Sequence, residues 1–277
     1  MSCLRMHKIG FRYLSRSFSS EANLTTVLEQ NGVRRITLNN PKKRNALSFA
    51  MLQSLQKNIF ENIEDINLRC IVLQSQGPVF SSGHDLKELH QSDQKKREEI
   101  FQLCSNLMMG LQNIPVPVVA VVNGLAAAAG CQLIASCDIT LASTKSHFST
   151  PGASVGLFCS TPGIAISRNI PLKAASYMLL TGNTINANEA LQVGLVSKIS
   201  DEENLESLVE NVLQSILLKS RCVLAMGKKF FYEQLNQSLP SAYRHGNEIM
   251  IKNLTHREAE EGINAFFSKK PPKWQHE

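Results

Sequence analysis

The chain has 277 residues, 43% of them hydrophobic, and a formal charge of +6 at pH 7. That length buries one sizeable core with room for a smaller appended subdomain. Asn123 and Gly124 interrupt the longest apolar run, Val116–Gly130, so no stretch approaches the ~18 residues of a membrane-spanning helix. The seven cysteines are odd in number and none stands in a C-x-x-C pair. Most lie in apolar runs, where cysteine acts as a small hydrophobe. Neither a disulfide framework nor a metal site is expected, and a reducing compartment fits.

Positive charge is concentrated at the start. Arg5, Lys8, Arg12 and Arg16 stand in the first 20 residues beside five serines and no acidic residue. Basic, serine-rich and acid-free composition reads as a mitochondrial transit peptide over residues 1–20, implying a matrix location; the plain alternative is a disordered basic tail. Without that segment the chain keeps about +2, so charge does not call for nucleic acid.

In chain order, Val27 to Leu38 reads as a hairpin about an Asn31-Gly32 turn. Ser48 is placed to cap a helix whose apolar face is Met51, Leu52, Leu55, Ile59 and Ile63. Cys70–Leu73 is a short buried strand, and residues 94–112 show helical spacing of Ile100, Leu103, Leu107 and Leu111. Val118–Val122 is the next buried strand, the alanine-rich run after Gly124 should open a helix, and Asp138–Ala142 makes a further strand. Strands alternating with helices indicate an α/β class with a largely parallel sheet, here over residues 21–200. From residue 201 to 277 the pattern is helical: Leu205, Val209, Val212 and Ile216 mark one helix, and two more run to Phe267 before Pro271-Pro272.

Five segments carry a resemblance: Pro41–Leu47, Phe80–Leu86, Asn123–Asp138, Leu180–Val196 and Glu261–Phe267. In this order and spacing they resemble the crotonase (enoyl-CoA hydratase/isomerase) family over residues 25–274. The resemblance implies a spiral of ββα units with a C-terminal helical region that builds a homotrimer or a dimer of trimers. It implies an acyl-CoA thioester as ligand, with no separate cofactor. The thioester oxygen would sit in an oxyanion hole formed by the backbone N–H groups of His84 and Ala129. Such donors stabilise a developing enolate, and a helix N-terminus adds its positive end. The family often has glycines where this chain has Ala128 and Ala129. Candidate contacts to the CoA portion are Lys43, Arg44 and Ala46, then Ser82, Asp85, Leu86 and Lys87 of the following loop, and Lys273 near the C-terminus. A solvated basic surface is the plain alternative for the lysines.

Where family hydratases use two glutamates, this chain has Gln132 and Gly152. Hydration needs one group to take a proton from water and another to deliver one at carbon. A glutamine amide does not titrate near neutrality and glycine has no side chain. No aspartate or glutamate stands between Asp138 and Glu189 to take over. His84 has an intrinsic pKa suited to acid–base work, yet the resemblance uses its backbone. Asp85 reads as bonded to loop backbone, His147 and Asp138 as satisfied structural groups, and Cys159 as pocket lining. The sequence therefore indicates a mitochondrial acyl-CoA-binding protein of lipid metabolism without ordinary hydratase activity. The alternatives are base-independent chemistry such as decarboxylation, or a non-catalytic scaffold.

Overall fold

A computed structural model describes residues 23–277; the transit-peptide reading lies outside the described residues. Asn31 and Gly32 both adopt positive φ, 53° and 78°. They join β1 (Thr25–Gln30) to β2 (Val33–Leu38) as an antiparallel hairpin, the geometry that matches strand twist. Ser48 caps α1 (Phe49–Phe60), accepting from the Met51 amide at 3.3 Å, and Met51, Leu52, Leu55 and Ile59 are buried. Next come β3 (Cys70–Ser75), β4 (Val79–Ser81), α2 (Leu86–Gln91) and α3 (Gln94–Asn113). The chain then runs through β5 (Val118–Val122), β6 (Leu125–Ala127), α4 (Ala129–Ala135), β7 (Ile139–Ser143) and β8 (His147–Ser149). After a 3-10 turn, Pro151–Val155, follow α5 (Ser160–Ser167), α6 (Leu172–Thr181), β9 (Ile185–Asn186), α7 (Ala187–Val193) and β10 (Lys198–Ser200).

Each of the pairs β3/β4, β5/β6 and β7/β8 splits between two sheets. Their first strands enter a six-stranded sheet ordered β1-β2-β3-β5-β7-β10, their second a four-stranded sheet ordered β4-β6-β8-β9. Pairing is parallel from β2 to β10 in the larger sheet and from β4 to β8 in the smaller. This is the expected crotonase-type spiral of ββα units. One local expectation changes. Leu125–Ala127 is a strand, and the helix begins only at Ala129. Alanine favours helix, but here the backbone is drawn into ladders with β4 and β8, and tertiary pairing overrides that propensity.

α8 (Leu205–Leu217) is part of the core. Leu205, Val209, Leu213 and Ile216 pack on Val72, Val119 and Leu141 of the larger sheet. Three more helices follow rather than two: α9 (Arg221–Gln234), α10 (Leu239–Leu254) and α11 (Arg257–Phe267). α9 is held to the core by a buried ion pair. Lys228 Nζ donates to Asp138 Oδ2 at 2.6 Å and to the carbonyls of Leu111 and Val116 at 2.8 and 2.9 Å. Asp138 also accepts from the Val118 amide and the Tyr232 hydroxyl. Burial pulls the Lys228 pKa below its ordinary value, against the raising effect of Asp138. All three ammonium protons are satisfied, which is the condition for tolerating a charge in low dielectric. No helix among the described residues is long and apolar enough to cross a membrane.

The C-terminal tail folds back as a clasp. Trp274 donates its indole N–H to the Leu218 carbonyl at 2.8 Å. Glu258 Oε1 receives the amides of Gln275 and His276 at 2.8 and 3.0 Å. The His276 ring lies 2.7 Å from Arg69 Nη1. Burial, then Arg69, lowers its pKa from the usual 6.5, with Glu258 opposing and Arg221 adding to the depression.

Lys228→Met is expected to lower the unfolding free energy by about 3–5 kcal/mol, since it leaves Asp138 buried without a partner charge; Lys228→Met/Asp138→Asn should lose less than the sum of the single losses, both read by urea titration. The neutral state of His276 is the docked one, so the clasp is fully stable above pH 6.5 and loosens as pH falls through the folded pKa. Fluorescence of Trp274, the single tryptophan, should shift to the red in that acid range, and His276→Gln should abolish the pH dependence.

Candidate functional site

The site is built where two loops are stitched together under the smaller sheet. Arg44 and Asn45 both hold positive φ, 53° and 50°, turning the chain tightly before α1. The fully buried Asn45 side chain fixes that turn. Its Nδ2 donates to the carbonyls of Gln76 and Val79 at 2.9 and 2.7 Å, and its Oδ1 accepts the Asn40 amide at 2.8 Å. Ser81 Oγ donates to the Asn45 carbonyl, Ser82 N to the Arg44 carbonyl, and Leu47 N to the Gly83 carbonyl. Asn45 was not singled out from the sequence; its only local signal is its place beside the Lys-Arg pair in a turn.

Gly83 is required twice over. Its φ is +87°, and an added Cβ would lie 2.8 Å from Ala128 Cβ and 3.1 Å from Ala129 N. The chain at Gly83 is thus pressed against the start of α4, next to the Ala129 amide. Neither that amide nor the amide of His84 donates to a protein acceptor among the described residues. Ala128, just before α4, has φ 49° and ψ −119°, a glycine-type conformation that costs an alanine about 1–3 kcal/mol. Its amide is anchored to the Ser149 carbonyl at 2.9 Å. The alanine run therefore does what glycine would do, at the expense of local strain.

Gln132 sits one turn into α4. It is 4% exposed, and its Oε1 has no partner among the described residues. Thr150, which the sequence reading passed over, is fully buried and its hydroxyl is likewise unpaired. Thr150 follows Ser149, whose carbonyl accepts the Ala128 amide, and Gln132 lies on the helix that Ala129 opens.

At Gly152 the structure leaves no room for a side chain: an added Cβ would lie 2.1 Å from the Leu157 carbonyl oxygen and 2.7 Å from Cys159 Sγ. The turn is closed by Leu157 N, which bonds the Gly152 carbonyl at 2.9 Å. Burial raises the Cys159 thiol pKa, which keeps it protonated and consistent with lining.

Among the charged candidates, Lys43 pairs with Asp85 at 3.5 Å. Asp85 caps α2 by accepting from the amides of Lys87 and Glu88. Burial opposes the lowering of its pKa, but the Glu88 amide and Lys43 prevail. The segments holding Lys43, Arg44 and Ala46 and holding Ser82, Asp85, Leu86 and Lys87 are thus tied to each other by the Lys43–Asp85 pair and the Ser82–Arg44 bond, while Lys273 lies on the tail. The tail places Lys273 beside α11, its amide donating to Glu261 at 2.7 Å. Asp138 serves the α9 anchor described above. His147 is exposed, with Nδ1 2.8 Å from the Lys145 carbonyl.

The His84 ring is packed edge-on against Phe101, centroids 5.1 Å apart. Its Nδ1 lies 3.2 Å from the Leu47 carbonyl, and its buried Nε2 has no partner among the described residues. Burial lowers its pKa below 6.5, partly offset by the Leu47 hydrogen bond.

The sequence pattern of the enoyl-CoA hydratase/isomerase family matches residues 28–277. A Rattus norvegicus protein described as enoyl-CoA hydratase domain-containing protein 3, mitochondrial, is 52% identical over 258 residues, spanning 93% of this chain and 86% of that protein. The crystal structure of human enoyl Coenzyme A hydratase domain-containing protein 3 matches with a TM-score of 0.89 at 50% identity, covering 91% of this chain and all of that one (100%). An enoyl-CoA hydratase structure from Mycobacterium smegmatis matches with a TM-score of 0.87 at 40% identity, covering 91% and 98%. The chain belongs to the enoyl-CoA hydratase/isomerase family, the crotonases.

Proposed function

We propose that this protein binds acyl-CoA thioesters in the mitochondrial matrix, as part of fatty-acid metabolism, without hydrating them as ordinary family hydratases do. The observation that carries the reading is the pair of acceptor-free amides at His84 and Ala129, held together by Gly83. Two such donors suit the oxygen of a thioester, and more so its enolate. Lys43, Arg44 and Lys87 supply the cations for the CoA phosphates. A Lys273 contact would come from the tail of a neighbouring copy, since its own chain draws it to α11. Relatives named mitochondrial and the basic, acid-free N-terminus support the location.

The loss of hydratase chemistry rests on both family positions. Gln132 carries no ionisable group, and Gly152 has no volume for a side chain. A pocket of this kind still suits decarboxylation of a malonyl-type thioester, where carbon dioxide leaves without a base and the amides hold the enolate. The scaffold reading draws on the large apolar side chains left in solvent along α10 and α11: Leu239, Tyr243, Met250, Leu254, Phe266 and Phe267. The same face supports assembly into a homotrimer or dimer of trimers, and an exposed area of this kind marks a protein–protein surface.

Thermal unfolding with butyryl-CoA tests the ligand. Stabilisation of about 2.7 kcal/mol is expected at 100 times Kd, and its complete absence at saturating concentration favours the scaffold. With crotonyl-CoA the protein should show no hydration by absorbance, and Gln132→Glu should not restore it. Gly152→Ala should lower the unfolding free energy by about 1–3 kcal/mol through overpacking against Leu157 and Cys159, so a glutamate cannot be reinstated at 152 without rebuilding the loop.

A further inference from the structure

Six cysteines lie among the described residues, and five of them are buried. Burial pushes the thiols of Cys70, Cys104 and Cys131 up to about 12 and raises those of Cys137 and Cys159. Such thiols stay protonated and inert. Cys222 is only half-buried, and its surroundings differ in kind. It is the second residue of α9, a 14-residue helix capped by Ser220, so it stands at the positive end of the helix dipole. Ser220 Oγ lies 3.1 Å and His256 Nδ1 3.9 Å from Cys222 Sγ. The other contact of His256 fixes its tautomer. An amide only donates, so the Glu258 N–H at 3.2 Å requires a lone pair on Nδ1 and places the ring proton on Nε2. The thiol therefore faces an acceptor nitrogen, and its S–H is the donor. Glu258 is 2% exposed and sits in the same junction, with Oε2 lacking a partner among the described residues. Burial opposes its ionisation, and the Gln275 amide, the Ser220 hydroxyl and the His276 amide outweigh it. Thiol, hydroxyl, imidazole and carboxylate thus meet where α9 and α11 begin.

We propose that Cys222 is a site of reversible thiol–disulfide exchange with low-molecular-weight disulfides such as oxidised glutathione, and that His256 takes the thiol proton. The inference is independent of the acyl-CoA reading above. In the step, the S–H bond of Cys222 breaks and the proton passes to His256 Nδ1. The thiolate then attacks one sulfur of the disulfide. A new S–S bond forms to Cys222 as the old one breaks, and its electron pair leaves on the second sulfur. That departing thiolate takes up the proton, which returns Nδ1 to the Glu258 amide. One thiol and one disulfide enter, and one of each leaves. The Cys222 sulfur is oxidised, the departing sulfur is reduced, and the small disulfide is the only oxidant. A second thiol removes the adduct by the same steps in reverse. Partial exposure, a helix start and a neighbouring imidazole are the conditions under which a cysteine is selectively modified, and among the described cysteines Cys222 alone is not buried.

The test is incubation of the full chain with oxidised glutathione at neutral pH, each cysteine peptide being followed in time by mass spectrometry. Cys222 should take up glutathione ahead of the five buried cysteines and release it to dithiothreitol. Its rate in the native protein should exceed its rate in the chain unfolded by urea, because partial burial alone slows a thiol and the His256 contact exists only in the fold. His256→Asn keeps a side-chain acceptor for the Glu258 amide but no titratable nitrogen. The fluorescence of Trp274, whose ring packs over Gly262 of α11, should therefore stay native in this variant, while exchange at Cys222 slows by about 10-fold. No adduct at Cys222 in the native protein, a native rate below the unfolded one, or an unchanged rate in a natively folded His256→Asn overturns the proposal. The comparison of native with unfolded wild type decides it even where the variant does not fold.

Discussion

The structure turns on a contact in which no side chain fits. Gly83, in a left-handed conformation, lies flat against the Ala127–Ala129 turn, and everything chemically interesting is a consequence of that approach. It joins the loop after β4 to the start of α4. It also forces Ala128 into a conformation that alanine rarely takes. Such strain persists only where surrounding structure over-determines it. Here the ladder of β4, β6 and β8 and the Ser149 carbonyl hold the turn from one side, while the buried Asn45 braces the opposing loop.

A rigid pair of main-chain donors is indifferent to side-chain substitution. Gln132 and Thr150 present neutral polar atoms without partners among the described residues, and at Gly152 the Leu157 carbonyl and Cys159 occupy the space a side chain would take.

The helical end is attached by means of a different physical kind. α8 belongs to the core through apolar packing on the larger sheet, whereas α9 is fixed by a charge pair with every donor satisfied. Beyond it, α10 has no fully buried side chain and packs on α9 through contacts such as His245 on Phe230, and the tail clasp at Arg69, Glu258 and His276 ties α11 to the rest. The apolar side chains left outward on these helices are thus presented by polar anchors to whatever packs on them.

Residue pattern alone determined much of this protein. The Asn-Gly hairpin, the Ser48 cap, the long helices and the buried strands at residues 70 and 118 follow from local chemistry and hydrophobic period, and the ordered motifs identified the family. The short strands β4, β6, β8 and β9 were not legible, because two or three residues carry no periodicity and their pairing partners lie 20 or more residues apart in the chain. Gln132 and Gly152 could be read as residue types, yet only the folded chain shows that the first has an amide oxygen without a partner among the described residues and that the second has its side-chain space filled. Likewise, the imidazole of His84 is an ordinary histidine in the sequence. Its tautomer and its unpaired nitrogen are decided by the Leu47 carbonyl and Phe101, groups brought to it by tertiary packing, because a side chain's hydrogen bonds and burial depend on neighbours distant in sequence.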